Sequence, residues 1–592
     1  MGPLENLLFE VYRSFSGKRW LERANDVRAS LALSQQYDLP EIIGRILTTR
    51  GIGADDVDNF LDPRLSNLLP DPAHLLDMDK AVARLVEAIV SKQNIAIFGD
   101  YDVDGATSSA LLARYFTVVD RPARIYIPDR LSEGYGPNVA AMNKLREEGI
   151  DLVITVDCGT TSYEPLEVAK ETGLDVIVVD HHAAEAGLPK AAAVINPNRI
   201  DEDSPHRQLA AVGVAFLVVV GMNRGLREAG YFKKADLPEP DLMQWLDLVA
   251  LGTVADMVAL TGVNRALVVQ GLKIMKRRQN AGISALANAA GIDEAPAAYH
   301  LGFIFGPRVN AGGRVGESYL GANLLTSDDP LETKVIAEKL EDYNKERRDI
   351  EDTVLTEAVA QAEQQSGDSM IFVAGEGWHP GVLGIVASRL KERFGVPACV
   401  VSTSDGKATG SARSVSGVDL GACVIAARQK GLLTNGGGHT MAAGFSLSLD
   451  NLPKLHDFLL VRIKKRIEEA NIQPTLHVDG ALTIAGASMN LVKKLQQLEP
   501  FGTGNAEPRF GFSNVRVTKS DQVGESHVRC FFADASNASL AGISFRSLET
   551  DLGRALLSHV GQPLHVVGRL RENAWQGRSS VQLFVDDAAP IH

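Results

Sequence analysis

Five short apolar runs constrain this chain more than any other feature: NIAIFGD, ARIYIPD, DLVITVDCG, LDVIVVDHH and AAVINPN. They are rich in Ile and Val, and helical stretches separate them. That pattern predicts a parallel sheet with crossover helices. In an open sheet of this kind the ligand crevice lies beyond the carboxyl ends of the strands. Three of the runs place acidic residues there: Asp100, Asp102 and Asp104 after the first, Asp157 after the third, and Asp180 with His181 and His182 after the fourth.

Carboxylates gathered in one crevice repel one another and are costly to desolvate, and a divalent cation removes that cost. An oxygen-rich set with one or two imidazoles suits Mn²⁺ or Mg²⁺ better than zinc. Asp256, ending the helix-like WLDLVALGTVAD, closes the set, and five or six ligands accommodate two divalent ions. A single aspartate at a strand end is ordinarily a cap or turn residue; the whole cluster is not explained that way. Asp180 is the exception, expected to orient His182 or cap a helix. Gly105 and the small residues after it open a helix whose N-terminus favours anions, or else form a tight turn.

A chain of 592 residues exceeds one hydrophobic core. The expected division is a helical N-terminal extension over 1–75, an α/β lobe over 76–327, a connecting helix over 328–366, a smaller α/β lobe over 367–460, and a β-barrel of OB type over 470–592. Within the first lobe, residues 260–325 read as helical and then loop-rich. A hydrophobic fraction of 45% and a charged fraction of 23% are ordinary for globular protein. The net charge of −14 argues against a polyanion partner only weakly, because a local basic groove binds nucleic acid on an acidic protein. Cys158, Cys399, Cys423 and Cys530 form no CxxC pair, which disfavours a zinc module or disulfide framework. The N-terminus lacks a signal-peptide core, and the apolar run from Ala211 to Met222 is too short to span a bilayer. A cytoplasmic protein with no membrane partner is expected.

These residues resemble the DHH phosphoesterase superfamily, named for the triplet at Asp180-His181-His182, and within it the RecJ single-strand-specific exonucleases. FGDYDVDGATSS, TVDCG, VVDHH and LGTVADMV resemble that family's successive motifs, and GPRVNAGGR the segment after them. GWHPGVLGIVASRL, GSARS and GGGHTMAAGF resemble the DHH-associated (DHHA1) second lobe, and LEPFGTGNAEPRF the entry to the OB-fold. The order is the family's, and the match covers nearly the whole chain.

The resemblance implies a two-lobed DHH/DHHA1 core with a C-terminal OB-fold barrel. It implies metal ligands at Asp100, Asp102, Asp104, Asp157, His181 and Asp256, and His182 beside the scissile phosphate, with Asp102 and Asp104 sharing in catalysis. Digestion would run from the 5′ end of single-stranded DNA in repair and recombination. Arg308, Asn310 and Arg314, with His379, Ser411, Arg413 and His439 from the second lobe, would hold phosphate. In the barrel, Trp575 is the stacking candidate, while most of the phenylalanines Phe510, Phe512, Phe531 and Phe545 read as core. No GxxxxGK[ST] occurs, so a separate helicase and a single-strand-binding protein are expected partners. The alternatives are a DHH phosphodiesterase for short oligonucleotides or cyclic dinucleotides, and a non-catalytic single-strand-binding subunit.

Overall fold

A computed structural model describes residues 6–591 except 131, 366, 576 and 577. The chain forms two compact units. One comprises Pro70–Asp256 and Gln270–Ile472; the other comprises Met1–Leu69, Met257–Val269 and Gln473–His592.

The first unit opens on an all-parallel sheet. Its spatial order is Arg124–Tyr126, Ile95–Gly99, Leu152–Val156, Asp175–Val179, Ala193–Ile195. Ile95–Gly99 and Leu152–Val156 are buried along their whole length, as expected for strands covered on both faces. The chain builds outward from Ile95–Gly99 to one edge and then crosses back to Leu152–Val156. The order therefore reverses between these two neighbours, and a reversal of that kind opens a crevice at the strand ends. Asp100 and Asp157 follow those two strands. Helix Ala211–Glu228, apolar and almost wholly buried from Ala211 to Met222, packs behind the sheet, and the largely apolar, buried helix Leu246–Ala255 packs against it.

A single 34-residue helix, Pro330–Glu363, leads to the second sheet. Its start is set locally: the Asp329 side chain accepts from the Leu331 N–H, and Pro330 has no N–H to orphan. The second sheet runs Asn435–His439, Ala442–Ser448, Lys407–Arg413, Ala398–Ser404, Ile371–Glu376, with only the last pair parallel. Val354 and Ala358 of the long helix pack with Val382 and Val386 of helix Pro380–Phe394 in one apolar cluster.

In the second unit, Phe510–Val523, His527–Ala533, Ser539–Ser544, Arg578–Pro590 and Pro563–Trp575 pair in that order. The first strand also pairs with the last, which closes a five-stranded barrel. The N-terminal segment is part of this unit and not a free-standing lead-in. Leu33, Ile43, Ile46, Leu47 and Phe60 share a core with Phe510, Phe512 and Leu564. Arg19–Glu22 pairs in parallel with Thr475–Val478, and the buried Trp20 donates its indole N–H to Asp587 at 3.0 Å. Helical periodicity announces the apolar faces of the N-terminal helices, but the surface that covers them lies more than 400 residues away in sequence. Among the described residues, no helix is long and apolar enough to cross a membrane.

Candidate metal centre

The turn after Ile95–Gly99 runs directly into helix Val103–Val118. Asp102 caps that helix, its Oδ1 accepting from the Gly105 N–H at 3.1 Å. The turn is so tight that a Cβ on Gly105 would stand 2.4 Å from the Asp100 carbonyl oxygen. Asp104 is fully buried and accepts from the Ala211 and Val212 N–H groups at 2.6 and 2.9 Å, at the start of helix Ala211–Glu228. That helix end offers unpaired N–H groups and positive potential, which hold a carboxylate in place. Asp157 sits at φ 60°, a left-handed conformation that costs a non-glycine residue energy and turns its side chain into the crevice. Asp256 caps the end of Leu246–Ala255.

His181 ties these segments together. Its Nε2 lies 3.2 Å from Asp157 Oδ1, 3.6 Å from Asp256 Oδ2 and 3.9 Å from Asp104 Oδ2. Asp180 does not face the cluster. Its buried carboxylate accepts from the backbone N–H groups of Thr160, His181 and His182 and from His182 Nδ1 at 2.8 Å. Asn198 and Asn196 donate to the carbonyls of His181 and His182. Asp180 therefore orients the histidine pair, which is the first of the two roles its sequence position allows.

The electrostatics follow from burial. Burial and the neighbouring Asp102 hold Asp104 up to about 7, and burial with Asp104 and Asp102 pushes Asp256 up to about 9. Asp100 and Asp157 stand well above the usual carboxylate range, through burial first and then Asp102. His181 is pushed down to about 4 by burial and by His182. Burial also works against protonation of His182, but the hydrogen bond and charge of Asp180 prevail and raise it to about 9. Neutral His181 is a ligand form of imidazole, whereas His182 is a cation aimed at the same crevice.

Three overlapping sets bring their ligand atoms within 4.8 Å of one another: Asp100, Asp102 and Asp157; Asp104, His181 and Asp256; and Asp157, His181 and His182. Asp100 Oδ1, Asp157 Oδ1, His181 Nε2 and Asp256 Oδ2 are buried without a hydrogen-bond partner. Orphaned acceptors of one kind converging on one point are the expected mark of a cation site. An oxygen-dominated set with one or two imidazoles fits Mn²⁺ or Mg²⁺.

Cationic groups border the cluster. Arg314 is half-buried, is pushed down to about 10 by desolvation and by Arg130 and Arg347, and donates to the Gly381 carbonyl at 2.9 Å. Arg413 lies over Gly384, where a Cβ would stand 2.8 Å from its Nη2. Asp102, Arg130 and Arg413 all act on the charge of Arg314, so both lobes contribute to one basic wall. His379 caps helix Pro380–Phe394 and is pushed down by burial and Arg130. Ser411 is on the same strand as Arg413, Asn310 is half-buried on helix Gly306–Val315, and His439 is exposed at the end of Asn435–His439. Arg308 is not directed to this wall. Its guanidinium pairs with Glu341 of the long helix at 2.6 Å and donates to the Ile304 carbonyl. The Trp575 side chain lies outside the described residues, and Phe510 and Phe512 are barrel core.

Two residues near the cluster escaped the sequence reading. Arg130 lies over the Tyr101 ring, 5.1 Å from its centroid, and Tyr135 donates its hydroxyl to the Asp157 carbonyl. Both are on a segment with no apolar periodicity; only their proximity to the IYIPD strand end marks them.

A switch-point crevice filled with acidic ligands and an Asp-His-His turn defines a metal-dependent phosphoesterase of DHH type. A model of the DHH family N-terminal domain matches residues 94–253, the DHHA1 domain matches 352–465 and the RecJ OB domain matches 478–587. The chain belongs to the RecJ family of single-stranded-DNA-specific exonucleases. It is 33% identical to RecJ of Bacillus subtilis, over 97% of this chain and 71% of that protein. It is 34% identical to RecJ of Dickeya dadantii, over 93% of this chain and 96% of that protein. The fold matches that of RecJ from Thermus thermophilus in complex with Mn²⁺ at a TM-score of 0.78 and 28% identity, covering 95% of this chain and 78% of that one. The Mg²⁺ complex of the same protein matches at 0.73.

Proposed function

We propose that this protein hydrolyses single-stranded DNA from its 5′ end, releasing 5′-mononucleotides, in DNA repair and recombination. The observation that carries the reading is the convergence of buried, unpartnered ligand atoms from Asp100, Asp157, His181 and Asp256. Asp102 and Asp104 complete the ligand set. Mn²⁺ or Mg²⁺ held there supplies Lewis acidity and an activated water for attack on phosphorus.

The remaining work falls to the chain's own groups. The N-terminus of Ala211–Glu228 fixes Asp104, and Asp180 fixes both histidines, so the ligands are ordered before substrate arrives. Protonated His182 offers a cation and a hydrogen-bond donor to the non-bridging phosphoryl oxygens. Arg314 and Arg413, with His379, Ser411, Asn310 and His439, form a pocket for the terminal 5′ phosphate, and planar guanidinium groups suit that ligand. Arg130 belongs to the same pocket. Arg308 braces it from behind through Glu341.

The five-stranded barrel supports a long-polymer substrate over a cyclic dinucleotide, and the full ligand set supports an enzyme over a non-catalytic subunit. Strands opened by a separate helicase and coated by a single-strand-binding protein are its working substrate. The test is an oligonucleotide labelled at one end or the other, as single strand and as duplex, with Mn²⁺ or Mg²⁺. Shortening of the single strand from the 5′ end supports the reading; degradation from the 3′ end or equal attack on duplex refutes it.

A further inference from the structure

We propose that Tyr299 and Phe303 form a stacking platform for one nucleobase of the strand, beside the metal centre; this rests on the function proposed above. The two residues are four apart on a helical segment, Ala298–His300 followed by a wider π-turn, Leu301–Phe305. Its inner face is ordinary core, with Leu301 and Phe305 fully buried. The outer face is not: Tyr299 is 56% exposed and Phe303 69%. Their rings stack on one another, with centroids 5.2 Å apart and planes 27° apart, which leaves the outer face of the stack for a further ring to continue.

The location ties this surface to the reaction. Gly302 faces Val254 with 3.5 Å left for a Cβ, and Gly306 faces Ala255 with 3.4 Å and Val103 with 3.9 Å. Val254 and Ala255 are the last residues before Asp256, and Val103 lies between Asp102 and Asp104. This segment thus packs against the residues next to Asp256, Asp102 and Asp104, with the rings on its outer side. Wide turns of this kind recur at functional sites. The segment is also braced: His300 accepts from the Ala297 N–H and lies 3.3 Å from Glu294, while Arg308, paired with Glu341, donates to the Ile304 carbonyl. Rings held on a braced support stack with little loss of freedom on binding.

Size separates the possible occupants. Two half-exposed aromatic rings offer on the order of 250 Å². A stable protein interface needs about 800 Å² from each partner. One base face needs far less, and stacking tolerates any base, as an exonuclease without sequence preference requires.

The test measures affinity for a 5′-labelled oligothymidylate in chelator, for the full-length protein and for Phe303→Ala, Tyr299→Ala and Phe303→Trp. Each is measured on intact strands and on strands with a single abasic residue moved along the chain. Wild type should lose about ten-fold in affinity at one abasic position. Phe303→Ala should lose about as much on the intact strand and be indifferent to that abasic position, and Phe303→Trp should recover binding. Equal unfolding temperatures show that the exposed rings are not structural. Alanine variants that bind as wild type, or a loss that persists equally at every abasic position, overturn the platform. Wild-type cleavage of the same strand with Mn²⁺ is the control: its failure counts against the proposed function, whereas normal cleavage with indifferent variants counts against the platform alone.

Discussion

Binding of Mn²⁺ to the metal-free protein at neutral pH should expel more than about one proton. Asp256, held up to about 9, keeps its proton at pH 7, and Asp104, at about 7, keeps roughly half of one. Asp100 and Asp157 are shifted in the same direction by burial and Asp102. His181, pushed down to about 4, has none to release. A cation must displace these protons, so its apparent affinity should rise about ten-fold per pH unit for each one still bound. Stability of the metal-free protein should move the other way. The folded state binds more protons than the unfolded chain, whose aspartates titrate near ~3.9. That contribution is fully present below about pH 4 and is lost as pH rises through 7 and 9. The slope is about 1.4 kcal/mol per pH unit for each carboxyl still protonated. Calorimetric titration in two buffers of different ionisation enthalpy counts the protons. Release of fewer than one, or an affinity flat between pH 6 and 8, would refute the electrostatic account.

Further outcomes follow from single contacts. Asp180→Asn removes the charge that holds His182 up, so the histidine resonance in metal-free protein should titrate well below 9 and turnover should fall about a hundred-fold, with Mn²⁺ still bound. A His182 titration unchanged from wild type would contradict this. Arg413→Ala should reduce the preference for 5′-phosphorylated over 5′-hydroxyl ends at least about ten-fold, measured as a ratio of cleavage rates. Glu351→Ala leaves Arg347 unpaired inside the long helix and should cost about 3–5 kcal/mol in denaturant unfolding of that unit, since both partners of the 2.6 Å pair are buried.

The residues proposed as metal ligands were legible because one local pattern, an apolar run closing on an acid, repeats at strand ends, and parallel-sheet topology sends all such ends to one edge. Asp256 was legible for a similar reason, at the end of an apolar helix. What local pattern could not show was the use of long-range surfaces. Leu33 and Ile43 announce apolar helix faces without revealing that the barrel of Phe510 and Leu564 covers them. Arg308 sits in a glycine-rich stretch that reads as a phosphate loop, yet GPRVNAGGR folds as helix. Glycine costs about 1 kcal/mol per residue in a helix interior, but here it allows close packing: a Cβ on Gly313 would stand 2.9 Å from the Tyr101 carbonyl oxygen, and one on Gly312 2.6 Å from that of Glu317. The helix then points Arg308 toward Glu341 and Arg314 toward the basic wall.

One cluster should both hold the cations and cut DNA. His181→Ala and Asp157→Ala, each followed by Mn²⁺ calorimetry and by cleavage of a single-stranded oligonucleotide on the same samples, measure the two together. Metal binding and cleavage should fall in step while affinity for the strand survives. Turnover near the wild-type rate in either variant, or in wild type held in excess chelator, would contradict it.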